Sequence, residues 1–153
     1  MSTNGKEFIH AASEQREDAD LEFCYDVGIG GPMTTLSATL SVRNWSAAMD
    51  FYTRAFGAKE LFSIPGGGVG QLAIDGATFW VAEESKEHLN FSPESLGGCS
   101  VRMLLIVDDP DAVVARAIAA GAKEMIPVRD EYGWRLGRVI DPAGHHWEIG
   151  RPL

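Results

Sequence analysis

The chain has 153 residues, of which 45% are hydrophobic, and a formal net charge of −9. That length holds one compact domain or two small fused modules with a real core, and the acidic balance excludes a general nucleic-acid binder, which needs a basic face. No apolar run approaches the roughly 20 residues of a membrane span, the N-terminus lacks the basic start and apolar block of a secretory leader, and Cys24 and Cys99 are too few for a disulfide scaffold, so a cytoplasmic protein with free thiols and no membrane partner is expected.

Residues 1–33 carry seven acidic side chains, Glu7, Glu14, Glu17, Asp18, Asp20, Glu22 and Asp26, against Lys6 and Arg16. They read as an acidic extension ahead of a Gly/Pro hinge at Gly28, Gly30, Gly31 and Pro32. A short helix over Ser13 to Tyr25 is one reading. Leu21, Phe23 and Tyr25 stand at alternate positions, which suits an extended segment pairing with a sheet edge better than a helical contact.

A first module follows over 34–84. Thr35 to Arg43 alternates and predicts a strand. Asn44 is a good N-cap for a helix over Trp45 to Phe56, whose Ala48, Phe51, Tyr52, Ala55 and Phe56 share one face, and Gly57 is its stop. Further strands are predicted at Ala58 to Pro65, Val69 to Ile74 and Ala77 to Glu83. Gly66-Gly67-Gly68 and Asp75-Gly76 supply the turns. Residues 85–98 read as a linker.

A second module occupies 99–153. Cys99 to Val107 predicts a strand. Asp108 or Asp109 caps a helix that has Pro110 in its first turn, a buried stripe of Val113, Val114, Ala117 and Ile118, and an end at Gly121. Strands are predicted at Ala122 to Val128, Arg135 to Ile140 and His145 to Gly150, with turns over Asp130 to Trp134 and Asp141 to Gly144. Gly57-Ala58-Lys59-Glu60-Leu61 returns as Gly121-Ala122-Lys123-Glu124-Met125, each time after the helix and before a strand. One folding unit used twice explains this, and the unit is βαβββ.

The string Asp141-Pro142-Ala143-Gly144-His145-His146-Trp147-Glu148-Ile149 makes the chain similar to a known family. With Ala47-Ala48-Met49-Asp50-Phe51-Tyr52, Ser92-Pro93-Glu94-Ser95-Leu96-Gly97-Gly98, Val107-Asp108-Asp109 and Arg135-Leu136-Gly137, it resembles the vicinal oxygen chelate superfamily of glyoxalases, bleomycin-resistance proteins and extradiol dioxygenases. Within it the chain looks most like the PhnB-like branch. The resemblance covers about residues 34–151. It implies an α+β fold in which each module curls its sheet into half of a cup, with the helix on the convex face and the ligand inside.

Metal-dependent members place a His on the first strand and a Glu on the last strand of each module. Such ligands hold a divalent ion with open positions, and the ion polarises two neighbouring substrate oxygens. Matched residue by residue, the first-strand positions are Ser37 and Arg102, and the last-strand positions are Trp80 and Glu148. Only Glu148 ligates a divalent ion well, and Arg102 repels cations. No metal cofactor is therefore expected. The alternative is one divalent ion on His146 and Glu148, which share a strand face, completed by His88 or His10. His145 and His146 also read as ordinary strand-end residues beside a turn.

Strand alternation directs Thr39, Ser41, Trp80, Leu104 and Ile106 into the cup, and Leu40, Val42, Trp147 and Ile149 toward the helices. Tyr132 and Trp134 fall on a loop near the cup mouth, where ligand contact and loop packing are both open. Arg135 reads as an anchor for turn carboxylates rather than an anion site. Gly66-Gly67-Gly68 lacks the Lys-Ser/Thr ending of a phosphate loop, and Cys99 reads as a buried small residue. The expected ligand-binding set is Ser37, Thr39, Trp80, Arg102, Leu104, Trp134, His146 and Glu148. Arg102 and Glu148 are expected to face each other across the cup and pair, and breaking a buried pair typically costs about 3–5 kcal/mol.

The leading functional expectation is a metal-free protein that binds a small organic molecule and forms a homodimer. One alternative is a lyase, isomerase or dioxygenase acting on vicinal oxygens, with Glu148 as its catalytic group, through a metal or as a general base if burial raises its pKa. Another is a protein-interaction module that uses the acidic extension.

Overall fold

The computed structural model describes residues 34–153. The acidic extension, the expected docking of Leu21, Phe23 and Tyr25, and the hinge glycines lie outside the described residues.

Two four-stranded sheets carry the fold. The first contains β1 (Thr39–Val42), β2 (Lys59–Ser63), β3 (Val69–Ile74) and β4 (Ala77–Glu83), in spatial order β1-β4-β3-β2. The second contains β5 (Arg102–Ile106), β6 (Lys123–Glu131), β7 (Trp134–Ile140) and β8 (His146–Pro152), in order β5-β8-β7-β6. In each sheet the first strand runs parallel to the last and the other pairs are antiparallel. This is the α+β architecture of two βαβββ units. The repeated pentapeptide marks the same irregularity in each copy. The pairing of β2 with β3 shifts between Glu60 and Phe62, and that of β6 with β7 shifts between Glu124 and Ile126. An extra residue at that point bends the strand and increases its local twist.

Helix α1 (Trp45–Phe56) forms where the sequence places its signals. Asn44 Oδ1 accepts the Ala47 N–H at 2.9 Å, and Gly57 ends the helix at φ 67°, a left-handed conformation that glycine adopts at little cost. Ala48, Met49, Phe51, Tyr52, Ala55 and Phe56 are buried. A short α2 (Pro93–Leu96) lies between the units. Helix α3 (Pro110–Ala119) starts at an Asp109 cap and buries Pro110, Val113, Val114 and Ala117. Ile118 does not join that stripe and remains 40% exposed, because the stripe is satisfied by the i, i+4 pair Val113 and Ala117 with Val114 beside them. The β1 and β5 strands are also shorter than the alternating sequence suggests, since alternation continues past the point where a partner strand is available. Strand β6 instead runs on to Glu131, past its expected end at Val128, so the β6–β7 turn is tight and Trp134 begins β7 rather than lying in a loop.

Both units share one core. Trp147 of β8 stands 4.8 Å, centroid to centroid, from Phe56, and 5.6 Å from both Tyr52 and Phe79. Each such side chain contributes about 1.5–3 kcal/mol by burial, with roughly 0.5–1.5 kcal/mol more for each well-oriented aromatic pair. The buried Asp141 is satisfied on both oxygens. Oδ2 accepts from the Tyr52 hydroxyl at 2.6 Å and from Trp147 Nε1 at 3.0 Å, and Oδ1 accepts from the Ala143 and His145 backbone N–H groups, each at 2.9 Å. Burial, then the Asp141 charge, push the Tyr52 phenol well above its ordinary pKa.

His145 is also buried. Its Nε2 lies 2.8 Å from the Ser41 carbonyl oxygen of β1. A carbonyl only accepts, so Nε2 carries the proton and donates across the two units. The linker is pinned by Glu84, which accepts from the Ser92 N–H at 2.8 Å, from the Ser92 hydroxyl at 2.7 Å and from the Ser95 hydroxyl, with Arg43 alongside. These donors, the Ser92 N–H foremost, pull the Glu84 carboxyl down to about 2. Among the described residues no helix is long and apolar enough to cross a membrane.

Candidate functional site

Strand register assembles the site. On β8, Trp147 and Ile149 are buried in the core, so His146 and Glu148 take the opposite face. Arg138 of β7 and Leu104 of β5 are the register partners of Glu148 on its two sides. Arg102 stands one step along β5, in register with His146. Met103 and Leu105 pack on the core, while Arg102, Leu104 and Ile106 are exposed on the other face of β5.

Glu148 Oε1 accepts from Arg102 Nε at 3.0 Å and from Arg138 Nη2 at 2.5 Å. The Glu148 and Arg138 side chains are 19% and 23% exposed, whereas Arg102 is 55% exposed. The expected Arg102–Glu148 pair is present, but it joins neighbouring strands of one sheet and not opposite walls of a cup, it is not a buried pair, and the cost expected for breaking one does not apply to Arg102. Arg138 is the shorter and better-shielded partner.

Beside this triad lies a cavity of about 240 Å³ lined by Ile126, Tyr132, Trp134, Leu136, Gly137, Arg138 and Glu148, together with Arg129 and Glu131. Arg129 and Glu131 pair with each other at 2.6 Å. Apolar walls with a few convergent charged groups suit a small organic ligand.

The structure divides the sequence-predicted residues into two groups. Trp134 and Glu148 line the cavity, Arg102 is tied to Glu148, and Leu104 and His146 share their sheet face. Thr39 and Trp80 belong to the first sheet, Ser37 lies just ahead of β1, and none of them lines that cavity. The Ser37 hydroxyl is spent on the Thr78 carbonyl at 3.1 Å, Thr39 is in register with Trp80, and Trp80 meets Phe62 edge-on at 6.0 Å. Thr39 lines a separate cavity of about 340 Å³ with Phe91, Cys99, Met103 and His145. Arg135 projects to the other side of β7. Its Nε and Nη2 donate to the two Asp111 oxygens at 2.6 Å, and Nη1 donates to Asp130 at 2.8 Å. This pairing holds the Asp111 carboxyl below its ordinary range and fixes α3 to the sheet.

Arg138 is the residue that sequence reasoning missed. The signal was available in the hairpin. Ile140 pairs with His146 across the Asp141–His145 turn, and counting two residues outward on each strand sets Arg138 opposite Glu148.

The residues at the four family ligand positions do not fit a divalent cation. Two guanidinium groups hold one oxygen of the only carboxylate, and a cation placed there would face both. Among the described residues no group of three or more His, Cys, Asp or Glu side chains is arranged to hold a metal ion.

Known proteins resemble the chain over most of its length. An uncharacterized protein of Mycobacterium tuberculosis is 39% identical over 126 residues, which span 77% of this chain and 74% of that protein. The crystal structure of a gene product from Arabidopsis thaliana superposes with a TM-score of 0.64 at 28% identity, covering 78% of this chain and all of the other. TnmS3, an antibiotic binding protein from Streptomyces sp. CB03234, shares the fold with a TM-score of 0.61 at 24% identity, covering 81% of this chain and all of its own. The family model described as Glyoxalase/Bleomycin resistance protein/Dioxygenase superfamily matches residues 35–149. Its match takes in the first sheet, the second as far as Ile149 of β8 and the Arg102–Glu148–Arg138 triad, and the chain belongs to that superfamily.

Proposed function

We propose that the chain binds a small organic molecule in the cavity beside Glu148, and that it does so without a metal ion. One observation carries this reading. The single carboxylate at the family ligand positions is already neutralised by Arg102 and Arg138, at the edge of an aromatic-lined cavity large enough for a small molecule. Glu148 then orients two guanidinium groups instead of a cation. The homodimer enters the same reading. Leu104 and Ile106 are 50% and 60% exposed on edge strand β5, and a second copy of the chain is the partner proposed to cover them.

The test combines metal analysis with ligand screening. Protein purified without chelator is expected to carry no stoichiometric divalent metal. A thermal-shift screen of small organic molecules is expected to give stabilising compounds whose effect disappears in Trp134→Ala. About one bound zinc, nickel, iron or manganese per chain, lost in Glu148→Ala, would overturn the reading and favour a metal-dependent enzyme. Light scattering that finds a monomer at all concentrations would remove the dimer.

A further inference from the structure

Building on the small-molecule reading above, we propose that the ligand is an organic anion with a flat aromatic body, its charge taken by Arg138 of the cavity wall with Arg102 beyond Glu148 reinforcing it, and its ring by Tyr132 and Trp134.

The charge balance comes first. Arg129 and Glu131 neutralise each other, which leaves Glu148 as one negative charge against two guanidinium groups, Arg138 in the cavity wall and Arg102 outside it on the neighbouring strand. A local excess of positive charge stands out in a chain with a net charge of −9. Both arginines also have donors to spare. Arg102 uses only Nε and Arg138 only Nη2 among the described hydrogen bonds, and Arg138 Nε is buried without a partner. A guanidinium presents five N–H donors in a rigid fork that matches a carboxylate or a related oxyanion. The unfilled partner for such a pair is an anion.

The backbone supplies the second observation. Tyr132 is held at φ 52° and Gly133 follows at φ 79°. Positive φ at both central residues is the I′ hairpin turn, for which Asn or Asp is the low-cost first residue. The chain uses that choice in its other hairpin of this kind, with Asp75 at φ 46° and Gly76 at φ 92°. Tyr132 is 93% exposed, so its side chain repays the strain with no burial inside the protein. A strained residue with no packing benefit, lining the same cavity as Trp134, points to a use in binding. Two aromatic side chains there suit a flat ring, and the arginines fix its charged end.

The experiment is calorimetric titration of the full chain at low salt with 1-naphthoate, its neutral isostere 1-naphthamide, and the cation 1-naphthylmethylammonium. Naphthoate is expected to bind about tenfold or more tighter than the amide, as charge-assisted hydrogen bonds allow, and the cation most weakly. Arg102→Gln and Arg138→Gln are expected to remove most of that preference while leaving the amide within about threefold. The exposed Arg102 variant guards against loss of folding in the other. Glu148→Gln is expected to tighten naphthoate, because it deletes the competing carboxylate. Tyr132→Asn is expected to raise the melting temperature and weaken both naphthoate and the amide. Equal binding of naphthoate and amide, or arginine variants that weaken both alike, would overturn the anion while leaving a small-molecule binder in place. No binding of any of the three at millimolar concentration would overturn the inference too, whereas the small-molecule reading falls only by its own screen and metal analysis.

Discussion

Replacing Glu148 with Gln removes both ion pairs that the register brings together, and replacing each arginine in turn separates them. Arg102 is 55% exposed, so its pair with Glu148 is worth only about 0.2–1 kcal/mol and is screened by salt. Arg138 and Glu148 are 23% and 19% exposed and meet at 2.5 Å, with Arg138 Nε already buried and unpartnered. Losing a charged hydrogen bond in that setting costs about 1.5–3 kcal/mol. Glu148→Gln is therefore expected to destabilise by roughly 2–3 kcal/mol, and Arg102→Gln by less than about 1 kcal/mol. For a body of this size each kcal/mol lowers the melting temperature by about 4 °C. Circular-dichroism melts and urea titrations of Arg102→Gln, Arg138→Gln, Glu148→Gln and the two double variants complete both thermodynamic cycles. The Arg138–Glu148 coupling is expected to exceed the Arg102–Glu148 coupling, and only the latter should vanish at high salt. A larger Arg102 coupling, or one insensitive to salt, would show that the exposure argument is wrong.

Three further outcomes follow from buried or crowded positions. Tyr52→Phe deletes one of four donors to the buried Asp141 and is expected to cost about 1.5–3 kcal/mol by thermal melting, and an unchanged melting temperature would count against that hydrogen bond. The Glu84 carboxyl is depressed to about 2, so its contribution is fully present above the unfolded value near 4.5 and is lost as pH falls toward 2. Glu84→Gln should flatten that part of the acid-stability curve, and a curve identical to the parent's would refute the assignment. A Cβ at Gly150 would lie 2.6 Å from the Arg135 carbonyl oxygen and 2.5 Å from Leu136 Cδ1. Gly150→Ala is therefore expected to destabilise by about 1–3 kcal/mol or more, read as a lower urea midpoint.

Local signals carried most of the fold. Asn44 and Gly57 bound α1 at the residues where the sequence sets its limits, and β3 and β4 match their alternating runs between Gly68 and Asp75-Gly76 and beyond. The pentapeptide repeat was informative because a helix stop and a strand bulge recur together at both copies. Strand ends at β1, β5 and β6 were less legible, since a strand stops where its neighbour stops and pairing partners are not local information.

The site was legible by face and not by assembly. Alternation sends Trp147 and Ile149 inward and Glu148 outward, as the sequence suggests. It does not say which of the outward residues share a cavity. Trp80 and Thr39 face outward from the first sheet, yet the Glu148 cavity is built by the second sheet and the β6–β7 turn. Tyr132 illustrates the same limit. Its position in a turn was readable, while its positive φ and near-complete exposure depend on the pairing of β6 with β7.

A carboxylate shielded as Glu148 is, at 19% exposed, gains from compensation by opposite charge. Metal-dependent relatives can do so with a divalent ion, which leaves or enters with its own affinity and brings open coordination positions. Here the compensation is covalent to the chain, through Arg102 on β5 and Arg138 on β7. Two guanidinium groups share one oxygen, so the compensation overshoots by one positive charge and leaves N–H donors without a partner among the described residues. On the proposed reading that overshoot is what the ligand meets. Ligand affinity would then fall with ionic strength and be indifferent to chelators. A metal-centred site would lose its ligand to chelator, so one titration repeated with chelator distinguishes the two, and its repetition with added salt checks the charge itself.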